Sequence, residues 1–347
     1  MDSRKIKCVV WDLDNTLWDG ILSEDGAVSL KQNVVGIIKE LDRRGILQSI
    51  CSKNDYTLAM NKLRGFGLDD MFIYPQISWE PKSKGIKEIR DDINIAMDSI
   101  AFIDDDEFER KEVNFSVPEV LCVDAADIDG ILENDAFIPK YITNDSKNRR
   151  LLYQTDIKRN KAKDEFKGTE VDFLKMLDMK FIIDKVHEDD LARAEELTVR
   201  THQLNSTGIT FSYDELKKLS EDPGYVLLIA ELKDVFGDYG KIGLSLIEKG
   251  KDRWTIKMLL MSCRVMSRGV GAILINYISK MAKKNNVDLY AEFIHTDVNR
   301  SMYVTYKFNG FKKVGLENDI ESLKQSDDFV GVIPDYVKLI DDESIWN

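Results

Sequence analysis

Two carboxylates separated by one residue follow a short apolar run near the start of the chain, where residues 8–14 read CVVWDLD. The run has the length and composition of a buried strand. Because ligands bind at the carboxyl ends of strands in an open α/β sheet, we expect Asp12 and Asp14 to face a binding site. This segment restricts the N-terminal part of the chain to folds in which a buried strand ends at an acidic pocket.

Further apolar runs alternate with helical patterns over the first 125 residues. The predicted strands are residues 8–11, 46–51, 71–74, 100–103 and 120–123, and the predicted helices are residues 33–44, 55–64 and 81–90. Runs without polar alternation suit a parallel sheet that is covered on both faces. We therefore predict a doubly wound α/β domain over residues 1–139.

Polar side chains follow the other predicted strands as well. Ser52 and Lys53 follow one strand, Lys82 opens the helix after Pro81, and an Asp-Asp pair at 104–105 ends another strand. The carboxyl ends of neighbouring parallel strands meet at one edge of a sheet. We expect these groups to converge on one pocket.

This set of side chains can move a phosphoryl group. Asp12 would attack phosphorus to form an aspartyl-phosphate, and Asp14 would act as general acid and base. Carboxylate oxygens are suitable ligands for Mg²⁺, and cationic or hydroxyl groups stabilise phosphoryl oxygens. The predicted Mg²⁺ ligands are Asp12, Asp14, Asp104 and Asp105, and the predicted phosphate-binding residues are Ser52, Lys53 and Lys82.

The composition changes after the first domain. Residues 140–163 hold eight basic and two acidic residues, which predicts a basic linker helix over 140–165. Beyond it we predict an α+β domain over 166–347. Its predicted strands are residues 180–186, 225–232, 242–247, 254–262, 288–294 and 329–333, and its predicted helices are residues 188–200, 270–284 and 298–308.

Charge and composition exclude several classes of function. The net charge is −13, which argues against broad binding to nucleic acid or anionic lipid. No apolar run approaches the ~18 residues of a membrane span. The first residues lack the apolar region of a secretory signal, so we expect a cytoplasmic location. Four cysteines without a C-x-x-C pair suggest neither a disulfide framework nor a zinc site.

The order of these motifs resembles the haloacid dehalogenase (HAD) superfamily of aspartate-nucleophile phosphatases. The matching series is D-x-D-x-T at residues 12–16, a strand ending in Ser52, then Lys82, then the Asp-Asp pair. Inserted cap domains in this superfamily follow the first or the second motif. The 40 positions from Asp12 to Ser52 and the 30 from Ser52 to Lys82 leave no room for one, so we expect a capless site that is open to large substrates.

Longer motifs resemble FkbH-like proteins, in which a HAD-type domain precedes a domain similar to the GNAT acetyltransferase fold. The matching segments are ICSKN at 50–54, SWEPKS at 78–83, FIDDD at 102–106, RTHQLN at 200–205, FGDYG at 236–240 and MSCRV at 261–265, with Arg268, Gly269, Thr296 and Asn299. The resemblance covers nearly the whole chain. The implied fold is a capless HAD-like doubly wound parallel sheet followed by an α+β GNAT-like domain.

The resemblance implies a glyceryltransferase-phosphatase. Such an enzyme takes 1,3-bisphosphoglycerate, captures the glyceryl group as a thioester, removes phosphate, and loads the phosphopantetheine thiol of an acyl carrier protein for polyketide-type biosynthesis. The residues implied for pantetheine or partner binding are Arg200, Gln203, Asn205, Arg264, Arg268, Gly269 and Asn299. Phosphopantetheine is favoured over coenzyme A, because Met266 stands where the pyrophosphate-binding turn has Gln or Arg.

Cys51 is the candidate for the thioester, since a metal ion and a following helix N-terminus could lower its pKa. Packing at the end of a buried strand is the alternative, and Cys263 is the second candidate. Because carrier proteins are typically acidic, residues 140–163 are a candidate docking segment, with a solvated helix as the alternative. Two other functions remain open: a stand-alone phosphatase of a small metabolite, and a GNAT-type acyltransferase with an accessory phosphatase domain.

Overall fold

The computed structural model describes residues 4–25 and 27–346, without the side chains of Asp25 and Ser267. The chain divides into two compact units, Met1–Gln154 and Thr155–Asn347. The division falls inside the segment for which we predicted a linker helix. Among the described residues, no helix combines the length and apolar character that crossing a bilayer requires.

In the part of the first unit that the structure describes, there are seven strands and the helices that connect them. The strands are β1 Cys8–Trp11, β2 Trp18–Asp19, β3 Ser29–Leu30, β4 Leu47–Ser52, β5 Gln76–Ile77, β6 Ile100–Asp104 and β7 Leu121–Asp124. The helices are α1 Leu22–Asp25, α2 Gln32–Arg43, α3 Tyr56–Gly65, α4 Lys82–Ile93, α5 Glu107–Ser116 and α6 Asn144–Lys147; α7 Arg149–Glu165 runs across the division between the units.

Five of these strands form a parallel sheet in the order β5-β4-β1-β6-β7. The chain fills the sheet outward from β1 in one direction and then returns to fill it in the other. The point between β1 and β6 is therefore the topological switch point, where open α/β sheets bind ligands. Asp12 follows β1, and Asp104 is the last residue of β6. The predicted doubly wound sheet is confirmed.

Helix starts close to the strand ends follow from local sequence. Asp55 and Asp106 accept hydrogen bonds from the backbone N–H groups of Leu58 and Phe108 and so cap α3 and α5. A capping carboxylate stabilises the first turn by satisfying a donor that has no partner within the helix. Each helix therefore begins three to four residues after its strand ends, beside the carboxyl edge of the sheet.

Two predicted strands are wrong. Within residues 71–74 the chain forms the end of a 3-10 turn at Asp69–Met71 and a left-handed residue, Tyr74, with φ of 49°. Met71 and Phe72 are buried in the core, so this apolar run reflects burial rather than strand pairing. Residues 329–333 also form no strand, and the last strand of the chain lies later, at Val337–Asp341.

The second unit is built around one large sheet. Its strands are β8 Met179–Lys185, β9 Tyr225–Asp234, β10 Gly237–Lys249, β11 Arg253–Met261, β12 Asp288–Phe293, β13 Phe311–Glu317, β14 Ile320–Gln325 and β15 Val337–Asp341. Its helices are α8 Glu170–Met176, α9 Leu191–Arg200, α10 Tyr213–Glu221, α11 Val270–Lys284 and α12 Arg300–Phe308.

The sheet has the order β13-β14-β12-β11-β10-β9-β8-β15. Neighbours are antiparallel except for the β11–β12 and β8–β15 pairs, which are parallel. Helix α11 buries ten of its residues, and Ile273, Leu274 and Tyr277 among them join the main core of the unit. The predicted α+β domain is confirmed.

Basic residues of the predicted docking segment are partly buried. Arg159 has no exposed surface; its guanidinium binds Asp156 at 2.7 Å and Asp234 at 2.8 Å and lies 3.6 Å from the centre of the Tyr239 ring. Arg150 binds Asp42 at 3.1 Å. The prediction of an eight-cation docking segment therefore needs correction, because these two arginines hold structure within their own units.

We predict that Arg159→Met destabilises the second unit by about 3–5 kcal/mol, since it leaves Asp234 buried without its cation. Lys161→Met is the matched control on the same helix, because the Lys161 side chain is 76% exposed. Chemical denaturation of the full chain measures both. An Arg159→Met protein as stable as the Lys161→Met protein would contradict the buried ion pair.

Candidate active site

Three carboxylates meet at the switch point of the first sheet. One carboxylate oxygen from each of Asp12, Asp104 and Asp105 lies within 4.8 Å of the others. Asp12 and Asp104 are buried, and Asp105 is exposed. The Asp12 backbone N–H donates to the Ile103 carbonyl at 2.9 Å, which joins the end of β1 to the end of β6. The parallel sheet therefore brings together acids that are about 90 residues apart in sequence.

Lys82 lies among these carboxylates. Its ammonium donates to Asp12 Oδ1, lies 3.2 Å from Asp104 Oδ2, and donates to the Cys51 carbonyl at 2.8 Å. The side chain is 3% exposed. Pro81 caps α4, so Lys82 is the first residue of the helix. The predicted phosphate-binding cation is thus also the counterion of two buried acids.

Burial and like charge shift the protonation of this group. Burial raises the pKa of Asp12 to about 7; Lys82 lowers it, while Asp104 adds to the rise. Burial also raises the pKa of Asp104, against the pull of Lys82. Burial alone would lower the pKa of Lys82, but the two carboxylates outweigh it and the net shift is upward. The single positive charge of Lys82 therefore does not fully balance the negative charges of the two carboxylates.

The residues fit a Mg²⁺ ion. The donors are all hard oxygen atoms, as Mg²⁺ prefers. Asp104 Oδ2 is buried 3.2 Å from the Lys82 ammonium, and a carboxylate oxygen with one such partner still has a lone pair for a metal ion. Asp12, Asp104 and Asp105 would hold the ion.

Asp14 does not join the other three acids, although we predicted it as a fourth ligand. Its carboxylate accepts hydrogen bonds from Trp18 Nε1 at 2.7 Å, the Leu22 backbone N–H at 3.0 Å and Asn54 Nδ2 at 2.9 Å. The prediction that the Asp14 carboxylate binds metal therefore needs correction, because these donors direct it elsewhere. Its predicted role in proton transfer stays a prediction.

The other predicted phosphate-binding residues differ in position. Ser52 is buried beside Asp12, and its hydroxyl lowers the pKa of the Asp12 carboxyl against the effect of burial. Lys53 instead pairs with Glu109 at 2.6 Å and is 37% exposed. Ser52 therefore belongs to the acidic site. Lys53 lies at the edge of this site, where Glu109 compensates its charge.

Cys51, the candidate thioester residue, is buried, and its sulfur lies 3.5 Å from the Lys82 carbonyl oxygen. Burial raises the pKa of its thiol to about 12, so the reactive thiolate is scarce at neutral pH. A side chain at Gly85 would come within 2.6 Å of the Cys51 sulfur, so the sulfur fills space against α4. The packing alternative accounts for these contacts, and the catalytic role of Cys51 stays a prediction.

Four residues of this site were not identified from the sequence as parts of its machinery. Thr16 Oγ1 accepts from the Asp105 backbone N–H at 3.1 Å and so links the loops after β1 and β6. Arg110 donates to the Asp104 carbonyl at 2.8 Å. Trp18 and Asn54 bind Asp14. Thr16 and Asn54 lie in the motifs quoted above, but no spacing rule gives their partners.

In the second unit, the two predicted asparagines hold loops together. Asn205 and Asn299 have no exposed surface. Asn205 Oδ1 accepts from the Thr207 and Gly208 backbones, and Asn299 Nδ2 donates to the carbonyls of Asn205 and Ile294. Their amides hydrogen bond within the protein, and their predicted role in pantetheine or partner binding stays a prediction.

The predicted arginines of this unit are also engaged. Arg264 donates to the Tyr239 carbonyl at 2.7 Å, and Arg268, 3% exposed, donates to the Tyr239 hydroxyl at 3.2 Å. Arg200 pairs with Glu196 at 3.1 Å. Of the remaining predicted residues, Gln203 is partly buried and Gly269 is exposed. Gly269 directly precedes α11 and has a φ of 69°. The predicted ligand-binding role of these residues stays a prediction.

A segment of the chain fills the gap between the diverging ends of β11 and β12. The Ser206 backbone N–H donates to Leu259 at 2.9 Å, and the Met261 N–H donates to Leu204 at 2.9 Å. On the other side, the Ile294 N–H donates to Ser206 at 3.0 Å. Residues 204–206 therefore satisfy backbone groups that the splayed strands would otherwise leave without partners.

No protein-family model and no curated protein matches the chain. Among solved structures, a magnesium-complexed phosphatase-domain structure from Bacteroides fragilis is 30% identical over 36% of this chain and 39% of its own, with a TM-score of 0.34. Ribosomal-protein-S18-alanine N-acetyltransferase from Escherichia coli is 13% identical over 45% and 97%, with a TM-score of 0.34. The PaiA N-acetyltransferase from Thermoplasma acidophilum, in complex with coenzyme A, is 16% identical over 42% and 98%, also with a TM-score of 0.34.

The chain spans 39% of the length of the Bacteroides fragilis chain. TM-scores this low carry no argument about function. The fold class therefore rests on the two strand orders, and the chemistry rests on the geometry of the site. Together they define an α/β unit with an acidic site at its switch point, followed by an α+β unit.

We predict that Mg²⁺ raises the melting temperature of the wild-type protein, because binding to the folded state alone stabilises it by about 2.7 kcal/mol at 100 times the dissociation constant. Asp104→Asn should lose most of this shift. Asp19→Asn changes an acid that is 68% exposed and lies outside the group of three carboxylates, so it should keep the shift. Equal Mg²⁺ shifts in wild type and Asp104→Asn, measured by differential scanning fluorimetry, would contradict the metal site.

We also predict that iodoacetamide at pH 8 labels Cys263, which is partly exposed, and leaves Cys51 unmodified in the folded protein. The reason is that Cys51 is 4% exposed and its pKa is about 12. Peptide mass spectrometry after timed quenching gives the two rates, and denatured protein provides the fully labelled control. Labelling of Cys51 as fast as Cys263 would contradict its burial and support it as the nucleophile.

Proposed function

We propose that this chain is a Mg²⁺-dependent phosphatase coupled to acyl transfer, with Asp12 as the phosphoryl-accepting nucleophile. The observation that carries the proposal is the Asp12 carboxylate itself. It lies at the carboxyl end of β1, within hydrogen-bond reach of Lys82 and Ser52 and beside Asp104. A carboxylate fixed among cationic and hydroxyl donors has the surroundings that phosphoryl transfer requires.

The residues divide the reaction between them. An Asp12 oxygen attacks phosphorus, the bond to the leaving oxygen breaks, and Asp14 supplies the proton that this oxygen takes up. Water then attacks the aspartyl-phosphate while Asp14 accepts its proton, which releases inorganic phosphate and restores Asp12. Lys82 and Ser52 bind the phosphoryl oxygens in both steps. A bound Mg²⁺ supplies further compensation of the phosphoryl charge.

The finer proposal is that the substrate is 1,3-bisphosphoglycerate and the acyl acceptor is the phosphopantetheine thiol of an acyl carrier protein. The FkbH-like motifs in both units support it, as does the absence of an inserted cap domain among the described residues between Asp12 and Lys82. The carrier thiol attacks the acyl carbon, the carbon–oxygen bond to the 1-phosphate breaks, and a 3-phosphoglyceryl thioester forms. Hydrolysis of its 3-phosphate ester through Asp12 then releases inorganic phosphate and leaves the glyceryl thioester. The thiol proton leaves to solvent, and no adduct on Cys51 is required.

A stand-alone phosphatase of a small phosphorylated metabolite is the second candidate. One observation favours it: in the second unit, Asn205, Asn299 and Arg264 make hydrogen bonds within the protein, and residues 204–206 fill the strand gap. A phosphatase of this kind needs only the first unit. The two candidates differ in whether a carrier protein becomes acylated.

We predict that Asp12→Asn lowers phosphate release from phosphate esters by at least ~1,000-fold, as loss of a covalent nucleophile typically does. Asp19→Asn is the matched control, because Asp19 is exposed in the same loop region. If Asp12→Asn released phosphate at nearly the wild-type rate in the presence of Mg²⁺, the phosphatase assignment would be wrong.

Intact-mass spectrometry of a phosphopantetheinylated carrier protein, incubated with this protein, Mg²⁺ and 1,3-bisphosphoglycerate, tests the finer proposal. We expect a glyceryl adduct on the carrier thiol with wild-type protein. A carrier protein that stays unmodified while phosphate is released would favour the stand-alone phosphatase.

A further inference from the structure

The Asp14 carboxylate is held in one orientation by two separate parts of the first unit. Trp18 Nε1 and the Leu22 backbone N–H both donate to Oδ1, at 2.7 and 3.0 Å. Asn54 Nδ2 donates to Oδ2, at 2.9 Å. A group that transfers a proton to a leaving oxygen gains rate from such fixed orientation.

The two side-chain donors are themselves rigid. Trp18 belongs to β2 and is fully buried in the hydrophobic core, where its ring lies 6.3 Å from that of Phe66. Asn54 lies just after β4 and is 2% exposed. Buried side chains in a packed core occupy single conformations. These two donors therefore fix the position of the Asp14 carboxylate relative to the sheet.

Asn54 has a feature that packing does not explain. Its Oδ1 is buried and has no hydrogen-bond partner among the described residues. An unsatisfied buried oxygen destabilises a fold, and an asparagine retained for structure alone is expected to satisfy both ends of its amide. The hydrogen bond that the Asn54 side chain makes goes to Asp14. Its placement therefore points to a role through Asp14.

We propose that Trp18 and Asn54 are positioning residues for Asp14, and that they direct the site to phosphate esters of alcohols rather than to acyl phosphates. This inference rests on the proposed function. In an ester, Asp12 forms a bond to phosphorus, the ester phosphorus–oxygen bond breaks, and the leaving alkoxide oxygen takes the Asp14 proton. The carboxylate that leaves an acyl phosphate is a weak base and needs no proton. A substrate carrying both groups would therefore react with Asp12 at its ester phosphate.

The test compares phosphoenzyme formation from glycerol 3-phosphate and from acetyl phosphate, by rapid quench under single-turnover conditions with Mg²⁺. In Trp18→Phe and Asn54→Leu, we expect the rate from the ester to fall about 10- to 100-fold and the rate from acetyl phosphate to change by less than ~3-fold. Adding either change to Asp14→Asn should cost little more than Asp14→Asn alone. Because the two variants alter different elements, failure of one to fold leaves the other as the test.

Trp11→Phe is the matched control. Trp11 is a buried tryptophan of the same core, and its Nε1 donates to Gln48 Oε1 at 2.6 Å rather than to Asp14. It should keep the wild-type ratio of the two rates. Equal losses for both substrates in Trp18→Phe and Asn54→Leu would overturn the inference and leave the proposed function standing. Failure of wild-type protein to form a phosphoenzyme from either substrate would overturn both.

Discussion

The candidate active site of the first unit depends on one interaction, the contact of the Lys82 ammonium with the carboxylates of Asp12 and Asp104. Two acids that the sheet removes from water would otherwise repel each other at close range, where the effective dielectric constant is low. Lys82 can reach both because α4 begins at that residue, directly after Pro81. This contact balances only one of the two negative charges, which leaves the site with an excess of negative charge for a metal ion to compensate.

The strand order of the first sheet explains the position of the site. Strand order makes the β1–β6 junction the switch point, so the acids that follow these strands meet there whatever the length of chain between them. Asp14, two residues after Asp12, turns instead toward Trp18 and Asn54. One short motif therefore supplies both the proposed nucleophile, Asp12, inside the charged group and a separately held carboxylate, Asp14, beside it.

The strands that carry the site could be predicted from the sequence because buried parallel strands are continuous apolar runs ending in polar residues. Cys8–Trp11 and Ile100–Asp104 are examples. Such a run identifies burial more reliably than strand pairing, so residues 71–74, which pack in the core without pairing, gave a wrong strand. Side-chain partners such as those of Asp14 depend on three-dimensional approach, which no spacing in the sequence encodes.

The second unit illustrates the same limit for polar residues. Asn205 and Asn299 stand in motifs that resemble a binding site, yet each is buried and bonded to loop backbone. Arg159 reads as one more cation of a basic linker, but its partner Asp234 is 75 residues away. A sequence gives the charge of such residues, whereas only the fold decides whether that charge faces solvent, a ligand or another side chain.

The central claim is that Asp12 becomes covalently phosphorylated, and one measurement tests it directly. Wild-type protein is mixed with glycerol 3-phosphate and Mg²⁺, quenched during turnover and reduced with borohydride, which converts an aspartyl-phosphate to homoserine. Peptide mass spectrometry then locates the reduced residue. The account predicts homoserine at position 12 and at no other aspartate. Phosphate release without reduction at Asp12, or reduction at a different carboxylate, would contradict it.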